Sequence, residues 1–570
     1  MLLIAAASAT ELVVGPEDDL CEALLDADTT SSLVVYLSGE HHDDCASLQL
    51  EGVDLTVQGA DRATTTLPPI ELQRSTFLAK DLWLPAGETP SLLDLGAELL
   101  GYDAVPVSLA ASSSNVTLAH VDVTGHAGAG IVALQGTLDL SDVAVTDFLD
   151  WAGLYVFAGT DDGTTLTVDE GSRFADDASG AIVLSAEGLG EIAASIADTT
   201  FERNRGYGGA DVHALAVTTL GIERATFRDS FGMNDDAEAG TGAPIYVEDT
   251  ALALTSCDFF GTDGQQATYL VQYGGTLAVS GGTWAGLAAT NSYAVMANGS
   301  SLALDDVTVE QPETIGAVWL NGDSVAVTRS RFHGGGHVRP TPLLWLPWGG
   351  TSVVTDNTFC NVDGTEGGEL VDAVGDLTFE RNLVRQVDLA GVAVANTGRV
   401  TARDNTVVDS DTDFVGGDPD PLVYVNNLVA GARIAVTAAP RSLDAHHNLF
   451  WDVTWVETGY EEGVVEADPR LADTYVATDC AAAPAITANS PANGAGDPAV
   501  ADSYGNTPSD IGALDVDGEP AGGDTGDPNV PGDLAEESVL VELAGGLACG
   551  EDAAAILLLP FLTLRRRRPC

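Results

Sequence analysis

The densest group of residues able to do chemistry lies in the segment RFHGGGHVRPTPLLWLPW, which starts at Arg331 and ends at Trp348. His333, His337 and Arg339 stand close together in it. A histidine can act as a general base, an arginine can pair with a carboxylate, and a tryptophan face can stack on a sugar ring. We expect this segment to form a Gly-rich outward loop, and the two histidines and Arg339 are the candidate catalytic residues.

Two further clusters, DAHHNLFWD and FERNRGYGG, also combine histidine or arginine with carboxylates and aromatic rings. Each cluster has a structural explanation as well. Arg203, Arg228 and Arg381 recur with a repeat described below, as solvated turn residues would. His447 precedes a bend asparagine, and the glycines at 334–336 are typical of a bulged turn. The residues concerned are Asp444, His446, His447, Trp451 and Asp452 in one cluster, and Glu202, Arg203, Arg205 and Tyr207 in the other.

The net charge of the chain, −64 over 570 residues, narrows the classes of partner. Lys80 is the only lysine. A field this negative argues against binding to nucleic acid or to an anionic membrane surface. It favours solubility, divalent cations or a saline, outer-surface setting, although turn-rich sequences also accumulate Asp. No cofactor is required by any motif, and calcium is compatible with the composition.

A short sequence motif, here called the repeated phrase, recurs along the chain and predicts the strands that position these residues. Its C-terminal copies are DNTF, RNLV, DNTV, NNLV and HNLF, and their closing apolar residues are 25, 23, 22 and 21 residues apart. The same strand phrase extends upstream. A fixed period in this range predicts stacked supersecondary units rather than one globular core. The closing residues are Val123, Val145, Phe174, Phe201, Phe227, Phe259, Trp284, Val309, Phe332, Phe359, Val384, Val407, Val429 and Phe450.

Two or three short strands fill each repeat. Apolar residues alternate before each closing residue, as at Leu252 and Leu254, which is the pattern of a half-buried strand. A second apolar strand, such as YLVQY at Tyr269–Tyr273, follows a Gly-rich turn in most repeats. Short strands that turn at Gly, Asn and Asp predict an all-β fold, a parallel β-helix solenoid of about 14–16 coils of roughly 25 residues.

An asparagine lies two places before the closing residue in each of the last five copies. Asparagine tolerates the left-handed backbone of a tight bend, and its amide offers both donors and acceptors. Stacked at one bend, such amides can hydrogen-bond along the solenoid. We therefore expect an asparagine ladder in the C-terminal half. Its members are Asn357, Asn382, Asn405, Asn427 and Asn448.

The cysteines show no spacing typical of zinc sites. Cys21 and Cys45 flank the first coil, so a disulfide between them would close an N-terminal cap. Cys360 and Cys480 are a second candidate pair near the C-terminal end. An exported protein would permit both bonds.

The two ends of the chain carry features of export and anchoring. Residues 1–9, MLLIAAASA, match the end of a signal peptide with an A-x-A-like cleavage site, although its positive start is missing. Residues 516–544 have the composition of a flexible acidic linker. Residues 545–570 combine Cys549, an apolar run at Ala553–Leu564 and four arginines. The run is shorter than the roughly 20 residues of a spanning helix, and the arginines would stay cytoplasmic.

This last segment resembles the tripartite C-terminal sorting signal of myxobacteria, the MYXO-CTERM type. The resemblance implies that Cys549 is the processed or modified residue and that the protein reaches the outer cell surface. Pro560 and the trailing Pro569 and Cys570 depart from the family pattern.

The body resembles the right-handed parallel β-helix repeats of the pectate-lyase-like superfamily. The phrases EADPRLADTY, SPANGAGDP and SDIGALD are similar to the segment that closes the last coil in many bacterial β-helix proteins. The resemblance, together with the usual hand of parallel crossovers, implies a right-handed solenoid. We accordingly assign 10–515 to the β-helix, with a cap at about 10–60 and a closing segment at about 466–515.

Two functional hypotheses follow. The first is a monomeric, non-catalytic surface protein for adhesion, glycan contact or envelope structure. The second is a surface polysaccharide lyase or glycoside hydrolase; on this fold a hydrolase needs two carboxylates beside the scissile bond. Acidic residues converging from adjacent coils would favour the enzyme, whereas a sheet face lined by Thr, Ser, Val and Ala would favour the first hypothesis.

Overall fold

The computed structural model describes the body of the chain between residues 10 and 513. Within the described residues the helix is Leu20–Asp26, and no helix there has the length and apolar character needed to cross a membrane. The described ranges are 10–26, 32–38, 47–85, 106–125, 128–158, 163–186, 190–233, 242–285, 293–311, 317–334, 342–348, 350–364, 368–389, 392–417, 421–436, 442–454, 462–471, 480, 485–499 and 509–513.

The strands form three long faces, here called sheets I, II and III in the order in which each coil passes through them. Sheet I contains Leu48–Glu51, Ile70–Gln73, Leu154–Phe157, Ile182–Ser185, Gly209–Leu215, Ala243–Glu248, Ala267–Tyr273, Leu344–Leu346, Val371–Ala373, Val392–Asn396, Asp413–Gly417 and Ile434–Val436. Sheet II contains Thr10–Val14, Leu33–Leu37, Asp54–Gln58, Thr164–Asp169, Ile192–Ala197, Thr219–Glu223, Ala251–Thr255, Thr276–Ser280, Thr351–Thr355, Asp376–Glu380, Val400–Arg403, Leu422–Val425 and Leu443–His446. Sheet III contains Arg173–Ala175, Thr200–Glu202, Thr226–Arg228, Asp258–Phe260, Thr283–Ala285, Thr308–Gln311, Arg331–Gly334, Thr358–Gly364, Leu383–Leu389, Thr406–Val408, Leu428–Ala430, Leu449–Trp451 and Val465–Glu466.

Some strands do not belong to a single long sheet. Five bend at corners and continue from one sheet into the next: Thr76–Pro85, Val107–Thr124, Ala129–Thr146, Tyr293–Asp305 and Ala317–Thr328. Three short strands, Arg205–Tyr207, Phe231–Met233 and Asp263–Gly264, form a small separate sheet.

Every strand pairs in parallel with the equivalent strand one coil away, which makes the fold a parallel β-solenoid of about 14 turns. In sheet II, for example, Leu252 pairs with Leu277 and Leu277 with Leu302. The closing residues of the repeated phrase are partners too: Phe227 pairs with Phe259 and Phe332 with Phe359. The all-β class and the period of about 25 residues are therefore confirmed, at the lower end of the expected number of coils.

The closing residues form the inner surface of sheet III. Phe174, Phe201, Phe227 and Phe259 are fully buried and stack on one another, with ring centroids 5.5, 4.9 and 4.5 Å apart. Offset aromatic stacking adds to the free energy gained by burying the rings. One large apolar residue per coil at this phase therefore fixes the register of the stack.

The five asparagines lie fully buried at the corner between sheets II and III. Each Nδ2 donates to the Oδ1 of the next: Asn357 to Asn382 at 3.1 Å, Asn382 to Asn405 at 3.1 Å, Asn405 to Asn427 at 2.9 Å and Asn427 to Asn448 at 3.2 Å. The same Oδ1 atoms accept the backbone N–H of the preceding asparagine at 2.8–3.1 Å.

The backbone reason given above for these asparagines was wrong. The left-handed residue at each corner is the one before the asparagine, as at Asp356 with a φ of 61° and Arg381 with a φ of 51°. His447, with a φ of 54°, holds this place in the last copy and is thus a bend residue. The asparagine follows the bend, where its side chain turns into the core and must find polar partners there.

The C-terminal segment packs against the outer side of sheet III. Ile486, Ala492 and Ile511 are buried against Leu428 and Leu449 of the last coils. A disulfide joins Cys360 to Cys480, with Cα atoms 5.8 Å apart. At the other end, Leu20 and Leu24 of the helix pack into the core of the first coils.

Several expectations concern residues outside the described ranges. These are the signal at 1–9, the linker at 516–544 and the sorting tag at 545–570 with Cys549; they stay predictions. Cys21 is disulfide-bonded, and Cys45, its expected partner, also lies outside the described ranges.

Candidate functional site

The outward side of sheet II offers little chemistry along its middle coils. The residues that point away from the core there are Ala251, Ala253, Thr255, Thr276, Ala278, Ser280, Ser301, Ala303, Asp305, Ser324, Ala326, Thr328, Thr351 and Val353, and Asp305 is the acidic residue among them. Small and hydroxylic side chains suit a flat, solvated sheet surface.

Sheet I differs, because an apolar and aromatic row runs along its outward side. Pairing in register aligns Tyr155, Val183, His213, Tyr246, Val271, Met296, Trp319 and Trp345 on consecutive strands. We call these residues the aromatic row. With adjacent strands about 4.8 Å apart, the row extends over roughly 35 Å.

The row points outward because its neighbours point inward. Val318 and Leu320 flank Trp319 in sequence and are buried in the core, as Leu344 and Leu346 are beside Trp345. The two indoles are only half-buried, and their ring centroids lie 6.5 Å apart with planes inclined at 59°. Half-exposed aromatic side chains that follow one another on a sheet face are typical of a binding surface.

A cleft of about 560 Å³ lies beside the row, at the corner where the chain turns from sheet I into sheet II. Stacked asparagines form one wall, since Asn298 and Asn321 are partners in register and Asn321 Nδ2 donates to Asn298 Oδ1 at 3.4 Å. Trp348, with 64% of its surface exposed, stands at the opening. The cleft is lined by Gly274, Gly275, Asn298, Gly299, Ser300, Asn321, Gly322, Asp323 and Trp348.

Glycine forms the floor of the cleft because the stacked corners approach too closely for a side chain. A Cβ on Gly299 would lie 2.7 Å from the carbonyl oxygen of Gly275, and one on Gly322 would lie 2.9 Å from that of Gly299. Gly275 also has a φ of +71°, which favours glycine. The resulting surface exposes backbone and amide groups next to an indole, which suits a ligand rich in hydroxyl groups.

Two carboxyl groups lie at the C-terminal end of the row. Asp372 is the register partner of Trp345. Burial raises its pKa above the ordinary value. Burial also raises the pKa of Glu369, and the charge of Asp372 adds to this shift. Perturbed carboxyl groups beside an aromatic surface are a known mark of functional sites.

His213 is the titratable member of the row towards the N-terminal end. Its ring meets Tyr246 edge-on with centroids 5.1 Å apart. Burial lowers the pKa of His213 to about 4, so the imidazole is neutral at physiological pH. In this state it contributes apolar surface and one polar edge to the row.

The structure separates residues that the sequence places together. Arg331 and His333 lie in a strand of sheet III, and Trp345 lies in a strand of sheet I, so the expectation that one outward loop holds all three was wrong. The physical reason is that the alternation of Leu344, Trp345 and Leu346 continues the core pattern of sheet I. His337 and Arg339 lie outside the described residues, so the candidate set of His333, His337 and Arg339 stays a prediction.

The other two clusters mainly hold neighbouring coils together. Arg203 donates two hydrogen bonds to Asp176 of the preceding coil, both at 2.7 Å, and has a left-handed φ of 56°. Arg381 does the same with Asp356. Arg228 differs from them, since it lies in a strand with its guanidinium 5.7 Å from the ring centroid of Phe260.

The last coil gathers the residues of DAHHNLFWD. His446 Nδ1 lies 2.9 Å from His447 Nδ1, and its Nε2 lies 3.5 Å from Asp444 Oδ1. Trp451 is 46% exposed on sheet III. Among the residues that the structure describes, no three His, Cys, Asp or Glu side chains are arranged to hold a metal ion.

The sequence analysis missed the aromatic row, although it predicted a second apolar strand in most repeats. Tyr246, Met296 and Trp319 each stand alone in an apolar strand, so each resembles a core residue. Alignment of these second strands at the phase of the repeat would have placed them in one outward row. Asn298 and Asn321 would have aligned in the same way.

Comparisons with known proteins add little to this geometry. The chain matches no family model and no curated protein. Among solved structures it is similar to the PL6 family alginate lyase AlyGC, with 10% identity over 78% of this chain and 89% of that chain and a TM-score of 0.29. It is also similar to the catalytic unit of a thermostable GH87 α-1,3-glucanase from Streptomyces thermodiastaticus, with 13% identity over 84% of this chain and 72% of that chain and a TM-score of 0.19. At these TM-scores neither similarity bears on what the protein does.

Proposed function

We propose that this protein is a surface-exposed, non-catalytic solenoid that binds polysaccharide along sheet I. The observation that carries the proposal is the pairing in register of Trp319 with Trp345, half-exposed on the outward face. Sugar rings present C–H groups on their faces and hydroxyl groups at their edges. Indole faces can stack on the C–H groups, and the amides of Asn298 and Asn321 in the adjoining cleft can hydrogen-bond to the hydroxyl groups.

A linear ligand fits the shape of the site better than a compact one. The aromatic row is straight, because each member lies on the strand next to that of its neighbour. Tyr155, Tyr246 and Val271 are buried, whereas Met296, Trp319 and Trp345 are partly exposed on consecutive strands. A polymer of repeating rings could contact these three together, whereas a single sugar would reach one or two. Contact at several weak subsites raises the overall affinity without any deep pocket.

The test is binding of residues 10–515 to a panel of polysaccharides by affinity gel electrophoresis and calorimetry, with and without Ca²⁺. Trp319→Ala and Trp345→Ala should each weaken retardation by the polysaccharide that binds. Trp451→Ala is the matched control, because it removes an exposed tryptophan from sheet III. Retention unaffected by the first two variants, or no retention by any polymer, would refute the proposal.

A second candidate function, polysaccharide hydrolysis, is favoured by one observation. Burial raises the pKa values of both Glu369 and Asp372, and Asp372 is the register partner of Trp345. A glycosidase requires one protonated and one ionised carboxyl group across the scissile bond. The activity would be established if the wild type releases reducing ends. Glu369→Gln and Asp372→Asn should lose this release while they still bind the polymer. Release of unsaturated ends would indicate a lyase instead.

The surface location in this proposal is supported by the sequence of the two ends. Residues 545–570 would anchor the protein, with Cys549 as the processed residue and the segment at 516–544 as a linker. In a myxobacterial host, protease treatment of whole cells should digest the wild-type protein. Cys549→Ala should instead be retained inside the cell or released, and unchanged surface exposure of this variant would contradict the assignment.

A further inference from the structure

The charges around sheet I indicate which class of polysaccharide the site accepts. Between Ala243 and Gly398 the chain contains seventeen acidic residues and five arginines. Three acidic groups lie at the site itself: Asp323 lines the cleft, Asp372 follows Trp345 in the row, and Glu248 is the register partner of Tyr273 beside the row. An anionic polymer on this face would meet charges of its own sign.

The described arginines of this region lie on other parts of the solenoid. Arg329 is paired with Asp305, and Arg381 with Asp356. Arg385 is fully buried in sheet III, and Arg331 lies on that sheet too. Arg339 lies outside the described residues. Within the described part of the chain, the aromatic row and the cleft therefore contain no cationic side chain that could neutralise a uronate or a sulfate.

We propose that the ligand of sheet I is an uncharged polysaccharide, held by indole stacking and by hydrogen bonds from Asn298 and Asn321 to its hydroxyl groups. This inference rests on the proposed function. The inference excludes polymers of uronic acid as ligands, because their carboxylates would need a counter-charge at each subsite. The Nδ2 groups of the stacked asparagines can donate to hydroxyl oxygens, and Asp323 can accept from hydroxyl groups.

Asp323 and Asp372 would both bind hydroxyl groups of a neutral polymer and repel the charges of an anionic one. A carboxylate accepts a hydrogen bond from a neutral hydroxyl group at no cost in charge repulsion. It repels a carboxylate in the same place, and the repulsion is strongest at low ionic strength. The site should therefore discriminate between two polymers that differ only in charge.

The experiment compares a matched pair of polymers. Hydroxyethyl cellulose and laminarin are the neutral polymers to screen, against alginate and polygalacturonate as anionic ones. The neutral polymer that is retained is then oxidised at its primary hydroxyl groups to carboxylates and measured again. We expect oxidation to weaken binding about tenfold or more at 20 mM salt, and less at 500 mM salt. The affinity of the neutral polymer should be independent of salt.

The variant Asp323→Asn with Asp372→Asn tests this discrimination directly. It should recover part of the binding to the oxidised polymer at low salt, and Asp376→Asn, an exposed residue of sheet II, is the matched control. Equal or tighter binding of the oxidised polymer would overturn the inference. If only alginate or polygalacturonate is retained, and Trp319→Ala abolishes this retention, the inference is overturned but the proposed function stands. No retention of any polymer would defeat the proposed function itself.

Discussion

Trp319 and Trp345 occupy the same register position on neighbouring strands, yet they are 26 residues apart in sequence. Their partly exposed rings lie 6.5 Å apart on the outward side of sheet I. Each indole is flanked in sequence by two residues buried in the core, which holds the surface in place before a ligand binds.

Trp319→Ala and Trp345→Ala should each weaken polysaccharide binding by about 1–2 kcal/mol, because each removes one stacking surface. The folded state should change little, since neither ring is part of the core. Isothermal titration gives the affinity and a thermal melt gives the control for folding. A variant that melts as the wild type does and binds equally well would show that the row is not the site.

Asn405→Ala should destabilise the C-terminal coils. Asn405 Nδ2 donates to Asn427 Oδ1 and to the carbonyl of Phe379, and its Oδ1 accepts from Asn382. Truncation leaves several buried polar groups unpaired, at a cost of about 3 kcal/mol or more. Solenoids need not unfold in one step, so hydrogen exchange of residues 376–430 is the measurement. The exposed Asn115→Ala is the control, and equal protection in both variants would contradict the expectation.

Stability should fall as pH rises, because of a buried carboxyl group. Asp211 Oδ1 accepts from Asn204 Nδ2 at 2.9 Å and from Ser230 Oγ at 2.7 Å, while its Oδ2 is buried and finds no donor. Burial raises the pKa of Asp211 to about 7. A raised pKa in the folded state stabilises the fold below the unfolded pKa of about 4, and this stabilisation is lost as pH rises towards 7.

Asp211→Asn removes the titrating group and should flatten this dependence between pH 4 and pH 7. The size of the effect is on the order of 4 kcal/mol. Asp177, another buried acid with a pKa raised mainly by burial, acts in the same direction. Thermal melts at pH 5 and pH 8 measure the difference, and the exposed Asp229→Asn serves as control. An unchanged slope in Asp211→Asn would rule out this residue as the cause.

Cys480→Ser should loosen the C-terminal segment from sheet III. The disulfide to Cys360 ties this segment to the stack over a separation of 120 residues. Its loss should cost about 2–4 kcal/mol and raise the exposure of Leu428 and Leu449. Limited proteolysis should then cut within 485–513 first. Reduction of the wild type should give the same pattern, and resistance of both samples would contradict the expectation.

The period and phase of the solenoid could be predicted from the sequence because they are encoded once per coil. Phe174, Phe201 and Phe227 repeat at one phase, and so do the asparagines of the C-terminal coils. The corner before each asparagine was misassigned, because Asp, Arg and His take the left-handed position as readily as Asn does at these bends. Propensity alone does not decide between two adjacent residues of a tight corner.

The site was harder to predict than the fold. His333 and Trp345 are close in sequence, but a corner turns the chain between them onto different sheets. Tyr246, Met296 and Trp319 are far apart in sequence and become neighbours only when coils are stacked in register. A search for local clusters therefore finds the first set and misses the second.

The stacking of glycine corners under the cleft makes each coil a removable unit. Gly299 and Gly322 are register partners, and at each of them a Cβ would meet a carbonyl oxygen of the preceding coil. Deleting one coil between equivalent positions, such as Leu277 and Leu302, would shorten the aromatic row by one rung of about 4.8 Å and leave the remaining contacts alike. If sheet I binds a polymer as proposed, the number of coils sets how many units of that polymer the protein spans.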